Sequence, residues 1–365
     1  MRLELPKWYD LHTHLRQDEM LAPLIADALK MGCAGVLAMP NTKPPVGTVF
    51  EADDLPYTSI EQYSAAIKAA GGGAFNDVIV PLYLTKDTTA KMIEEGARSG
   101  LLHACKYYPP HGTTGAEFGY PFVEFIENGV FEAMRDAGVV LCVHGEEHGM
   151  DAEHYFARSS NAEECFYKER LPRAVDKFPD LKIVGEHVTT KVAVDFVTSA
   201  PSNVGATITP QHLLYTIGHL LQGLKYHLYC LPLLKFEEDR AALRAAIIDP
   251  ANTKFFAGTD SAPHTQKMTE CGCAAGCYTG GIAPQLYAQG FEESGVDLGS
   301  DAGAQAFKNF LCLNGPNFYG LEIPTETFTI EKAPQRIEAL QIGDKNVLPL
   351  PIGVGQGSEL SWSLV

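Results

Sequence analysis

Two kinds of apolar pattern alternate along the chain. Short runs rich in β-branched residues recur at 8–15, 35–39, 77–84, 102–108, 139–144, 181–187, 203–209 and 253–260. Each is bounded by polar or turn-forming residues, as buried strands are. Between them the apolar positions shift to a spacing of three and four. That spacing predicts a helix through Leu21, Leu24, Ile25, Ala28 and Leu29 that stops at Gly32, and further helices over 59–70, 89–99, 123–136, 191–199 and 237–248. Eight strands alternating with helices over about 250 residues predict an α/β fold of the closed (β/α)8 barrel type. The alternative, an open doubly wound sheet, needs a phosphate-binding glycine turn after its first strand. His12-Thr13-His14 stands there instead, which favours the barrel. A helix over 302–313 is expected to close it, and residues 320–365 read as a C-terminal extension packed on it. No repeat or low-complexity linker divides the chain, so a single catalytic domain, 1–365, is expected.

Composition narrows the function. Apolar residues make up 45% of the 365 and charged residues 20%, an ordinary globular balance. No apolar run is long enough to cross a bilayer, and no basic-then-apolar leader marks secretion. The nine cysteines are odd in number and lie mostly inside apolar runs, which fits a reduced, cytoplasmic protein. A formal net charge of −17 argues against a nucleic-acid partner, because phosphate backbones are held by basic patches. If the substrate is a small anion, particular local cations must hold it against that field. The Cys271-Gly272-Cys273-Ala274-Ala275-Gly276-Cys277 loop has no zinc or iron–sulfur spacing and reads as a tight loop packed near a site.

Chemistry enters at the strand ends. Asp10, His12, His14, Asn41, Lys106, His144, His187 and Asp260 all fall in the last residues of their runs, and in a barrel those ends converge on one face. Alternation along a strand puts His12 and His14 on one side, about 6–7 Å apart, where two imidazoles can share a metal. A lysine ammonium among metal ions is repelled. Buried near cations, Lys106 has a lowered pKa, and its neutral amine could add carbon dioxide to become an anionic N-carboxylate able to bridge two metals. Arg16 lies two beyond His14, a planar fork suited to a carboxylate or to a salt bridge. Asn41 could bind substrate or cap a helix. Residues 109–115 combine stiff prolines with two glycines around Thr113 and Thr114, as a hinged lid or an ordinary surface loop would.

Together these motifs resemble the amidohydrolase superfamily and, more narrowly, the short single-domain dihydroorotases, from Asp10 to about Tyr319. The carriers are Asp-Leu-His-Thr-His-Leu-Arg (10–16), Met-Pro-Asn-Thr-Lys-Pro-Pro (39–45), Lys-Tyr-Tyr-Pro (106–109), Val-His-Gly-Glu (143–146) and Glu-His-Val-Thr-Thr (186–190), then Thr-Pro-Gln-His-Leu-Leu (209–214), Tyr-Cys-Leu-Pro (229–232) and Gly-Thr-Asp-Ser-Ala-Pro-His (258–264). The resemblance implies two zinc ions. His12, His14, Lys106 and Asp260 would hold one, and Lys106, His144 and His187 the other, with Lys106 carboxylated between them. It further implies that Arg16, Asn41 and His264 bind a substrate carboxylate and that the backbone at Leu231 and the small residues around Ala275 (or Ala274) touch the ring. Thr113 and Thr114 would ride a closing lid, and Asp260 would serve as the catalytic acid–base. The reaction implied is reversible cyclisation of N-carbamoyl-L-aspartate to L-dihydroorotate, in a homodimer. The rivals are a dihydropyrimidinase or hydantoinase with no need of a carboxylate clamp, a mononuclear deaminase in which Lys106 would be idle, and a non-catalytic scaffold, which should have lost ligands. His212 is expected to be the histidine that supports the site from behind.

Overall fold

The computed structural model describes residues 1–270 and 272–365; Cys271, in the Cys-Gly-Cys loop, lies outside the described residues. All eight apolar runs form strands. Among the described residues the parallel strands fall into a sheet of three, Trp8–Thr13, Cys33–Ala38 and Asp77–Ile79, and a sheet of six, Leu82–Tyr83, Ala104–Tyr107, Val140–His144, Ile183–Glu186, Val204–Ile208 and Phe255–Ala257. The third run is divided between the two sheets: Ile79 pairs with Leu37, while Leu82 pairs with Cys105. Pro81 lies at the break, and a proline has no N–H to give a ladder.

The first and eighth runs also meet. Thr13 and Ser261 form a parallel bridge, His14 N donates to Ser261 O at 3.0 Å, and Asp260 N donates to His12 O at 2.8 Å. Helices return the chain between strands, and their starts show why the sequence places them there. Ser59, Thr89 and Thr190 each accept a backbone N–H from the first turn of the helix that follows, satisfying donors with no partner inside the helix. One apolar cluster packs these helices on the strands. Another, including Tyr9, Leu11, Leu37, Ile79, Ala104, Val140, Cys142, Val184 and Phe256, lies between the strands themselves. In a parallel ladder, paired residues share a face. Lys106 pairs with Cys142 and Glu186 with His144, so these polar groups rise in register on the face that carries the second cluster.

Three features differ from the sequence reading. The expected helix over 123–136 is two helices, Phe122–Glu127 and Val130–Ala137, because Gly129 between them takes φ +84°, a backbone region that glycine reaches without strain. A helical stretch from Ala162 to Lys177 stands between the fifth and sixth strands where none was expected. The C-terminal extension is also more than a packed tail. Thr327–Glu331 pairs antiparallel with an N-terminal strand, Arg2–Pro6, and with Ser363–Leu364, so the two chain ends share one sheet.

Candidate metal centre

The first strand delivers two imidazoles through a register irregularity between Asp10 and Thr13. The rings of His12 and His14 stand 5.6 Å apart. His12 Nε2 lies 3.4 Å and His14 Nε2 3.1 Å from the same atom, Asp260 Oδ1. In a tetrahedral site with zinc bonds of 2.0–2.1 Å, ligand atoms are about 3.4 Å from one another. The three groups therefore have the mutual spacing of ligands around one small cation. His187 stacks edge-on against both His12 and His144, with centroids 4.8 Å apart in each case.

The orientation of these rings is set from behind. His12 Nδ1 meets Glu186 Oε2 at 2.7 Å, and the same oxygen accepts from Thr207 Oγ1 at 2.7 Å. That leaves His12 Nε2 facing Asp260. His144 Nε2 meets Glu146 Oε2 at 2.8 Å, which leaves its Nδ1 for any cation. Among the described residues Asp10 binds no imidazole. Its two oxygens accept from Thr259 N at 2.9 Å and Thr259 Oγ1 at 2.7 Å, tying the first strand to the turn that carries Asp260. Arg16, His187 and Asp260 all have positive φ, at 58°, 40° and 47°. Such conformations cost about 1–3 kcal/mol each in non-glycine residues and collect at functional sites.

Lys106 is fully buried, and among the described residues its Nζ has no hydrogen-bond partner. A buried, unpaired ammonium costs several kcal/mol, and burial accordingly lowers the Lys106 pKa. A neutral amine in this position is a nucleophile and can become an anionic ligand. The imidazoles agree with that reading. Burial holds His12 and His187 well below the usual histidine range. Burial also lowers His14, so all three rings are neutral donors. Burial alone would raise the Asp260 carboxyl, but its bond to His14 and the nearby His12 outweigh that and hold it low. Neutral imidazoles, an ionised carboxylate and an orphaned amine form a donor set that fits a metal.

Beside this cluster lies a pocket lined by His14, Arg16, Asn41, Thr113, Thr114, Leu231, Asp260, Ala262, Ala275 and Gly276; an adjoining pocket adds His264. Every substrate-contact residue expected from the sequence is thus in one place. Arg16 Nε donates to Pro263 O at 3.1 Å, and its terminal nitrogen lies 3.1 Å from His264 Nε2. Burial, then Arg16, pushes His264 down to about 3, so it is neutral and carries one ring N–H. Asn41 caps no helix here: its amide donates to Thr114 O at 2.9 Å and holds the 109–119 loop down over the pocket. Gly115, at φ +76°, makes that approach possible, since a Cβ there would stand 3.2 Å from Asn41 Cβ. Among the described residues, the backbone N–H groups of Leu231 and Ala275 have no backbone acceptor. His212 uses both ring nitrogens on Thr209 Oγ1 and Pro232 O, a structural role. Glu186, Glu146 and Thr207 went unassigned in the sequence reading, although Glu186 and Glu146 sit inside the quoted motifs beside the histidines they serve.

Polar groups gathered at one end of a parallel array, with ligand spacing for a cation, define a candidate metal centre of the kind a metal-dependent enzyme uses. The chain is 39% identical over 369 residues to the dihydroorotase of Pseudomonas aeruginosa (strain UCBPP-PA14), covering 100% of this chain and 98% of the relative. The structure of Saccharomyces cerevisiae dihydroorotase in complex with 5-fluoroorotic acid superposes with a TM-score of 0.84 at 27% identity, covering 100% and 98% of the two chains. The L-hydantoinase (dihydropyrimidinase) of Arthrobacter aurescens shares the fold, with a TM-score of 0.73 at 14% identity over 99% of this chain and 83% of that one. No family model matches. The chain belongs to the dihydroorotase family.

Proposed function

We propose that this chain interconverts N-carbamoyl-L-aspartate and L-dihydroorotate, closing or opening a cyclic amide, on a closed (β/α)8 barrel that is one catalytic domain over 1–365. The Thr13–Ser261 bridge supports closure of the barrel. The observation that carries the function is Asp260. Its ionised carboxylate touches both first-strand imidazoles and lines a pocket that Arg16, Leu231 and Ala275 also line. Two zinc ions, one held by His12, His14, Lys106 and Asp260 and the other by Lys106, His144 and His187, with Lys106 carboxylated between them, would supply an activated water and a Lewis acid for the ring carbonyl.

The chain's own groups do the rest. Asp260 accepts the proton of the attacking water and returns it to the departing amide nitrogen, base first and acid second. Arg16, Asn41 and His264 take the substrate carboxylate, and the Arg16 guanidinium is the local cation that a chain of net charge −17 requires. The N–H groups of Leu231 and Ala275 address the ring, and Thr113 and Thr114 close the loop over it and exclude water. The reading includes a small-molecule substrate with no nucleic-acid or membrane partner, and a homodimer in the cytoplasm. No helix among the described residues is long and apolar enough to cross a membrane. Among the described residues eight cysteines are free thiols, as a reducing compartment keeps them.

The test compares L-dihydroorotate with uncharged dihydrouracil, with and without a chelator. Hydrolysis of L-dihydroorotate is expected, lost on chelation and regained with zinc. Arg16→Met should lower kcat/KM for it by about 10- to 100-fold, the size of a charged hydrogen bond to a carboxylate, while leaving any residual dihydrouracil turnover unchanged. A wild-type preference for dihydrouracil would instead favour the hydantoinase reading.

A further inference from the structure

The loop carrying Ala275 is fastened by a residue to which nothing above assigns a part. Lys267 is 7% exposed, and its Nζ donates to three backbone carbonyls, Tyr229 O at 3.0 Å, Ala274 O at 2.6 Å and Gly276 O at 2.6 Å. An ammonium has three N–H donors, and here each has an acceptor. The acceptors belong to two segments remote in sequence. Tyr229 lies two residues before Leu231, while Ala274 and Gly276 flank Ala275.

The peptide plane makes this arrangement directional. In a trans peptide the C=O of one residue and the N–H of the next point in opposite directions. With Ala274 O turned toward Lys267, the Ala275 N–H must point away from Lys267, and it is one of the two pocket donors without a backbone acceptor among the described residues. Ala275 O turns to the other side and meets His264 Nε2 at 2.7 Å. Gly276 N donates to Tyr229 O at 2.9 Å, closing the link between the two segments. The loop has no slack, because Gly276 runs at φ +142° and a Cβ there would stand 2.5 Å from Ala262 O.

We infer that Lys267 is a positioning residue for substrate recognition, its ammonium orienting the Ala274–Ala275 peptide so that the Ala275 N–H addresses the ring. The inference rests on the substrate reading proposed above. Its effect falls on binding more than on chemistry, since Lys267 touches neither Asp260 nor the imidazole cluster. Lys267→Met keeps the length of the stem and removes the donors. In the zinc-loaded full chain it is expected to raise KM for L-dihydroorotate about tenfold or more while kcat stays within about threefold, the pattern of a lost binding interaction. Calorimetric affinity for orotate, a planar analogue that is not hydrolysed, should fall in step, and amide exchange should quicken at 274–276 with zinc content unchanged. Lys267→Arg keeps the charge but cannot aim a planar fork at three carbonyls, so its KM should lie between the two.

Unchanged KM and orotate affinity in Lys267→Met, or a loss confined to kcat, would overturn the inference. If the methionine variant does not fold, Lys267→Arg decides by the same measurements, and a wild-type KM there overturns it. Failure of the substrate reading is distinguishable, because it shows in the wild-type chain as no turnover of L-dihydroorotate, and it takes this inference with it.

Discussion

Lys106→Ala is expected to lower kcat/KM for L-dihydroorotate by about 1,000-fold or more, because on the proposed reading it removes the ligand shared by two metal sites and the charge balance of both. The expected metal content falls from two zinc ions per chain to one or none. The physical case is the burial of an amine with no partner. Lys106 Nζ is enclosed, faces the Tyr108 ring at 5.0 Å, and has no hydrogen bond among the described residues. If Lys106 served only packing, its truncation would cost stability like other large-to-small changes in a core, about 2–5 kcal/mol, but would leave zinc and turnover in whatever folded. A short carboxylic acid such as acetate separates the two cases. It can occupy the space left by the side chain and restore an anionic bridge, so partial return of activity with added acetate is expected on the ligand reading alone.

The second large effect is that of Asp260→Asn. The amide keeps the shape of the carboxylate and one oxygen toward His12 and His14, so the fold and part of the metal affinity should survive. The proton acceptor does not. Turnover is expected to fall at least ~100-fold, the usual contribution of a positioned acid–base, with KM changed far less. Pre-steady-state measurement on the zinc-loaded variant should place the loss in ring opening. Near-normal turnover would remove Asp260 from proton transfer and leave it as a ligand only.

How much of this could be read in the sequence depends on the range of the interaction. The strand runs were legible because burial on both faces leaves continuous apolar stretches. The residues at their ends were legible because polar groups interrupt those stretches at one end only. His12, His14, Lys106, His144, His187 and Asp260 were singled out in this way, and the structure brings the ligand atoms of His12, His14 and Asp260 together. Their supports were not. Glu186 holds His12 across 174 residues of chain, and no local periodicity reports a pairing at that separation. The left-handed backbone at Arg16, His187 and Asp260 was equally hidden, since nothing in the side chains requires it. The N-terminal strand was missed because Arg2–Pro6 is half exposed and its partner strand is more than 300 residues away. The helical stretch from Ala162 to Lys177 carried a readable start, since Asn161 accepts the N–H of Glu164. Pro172 interrupts its later turns and hides the period.

The account depends on two cations lying between the first-strand imidazoles and the Lys106–His144–His187 group. Anomalous diffraction from crystals of the zinc-loaded chain, measured on either side of the zinc absorption edge, tests that claim most directly. Two peaks about 3.5–4 Å apart, the spacing of paired-metal sites, are predicted, with density for a carboxylate on Lys106 Nζ between them. A single peak beside His12 and His14 with a bare lysine, or no peak in active protein, would contradict it.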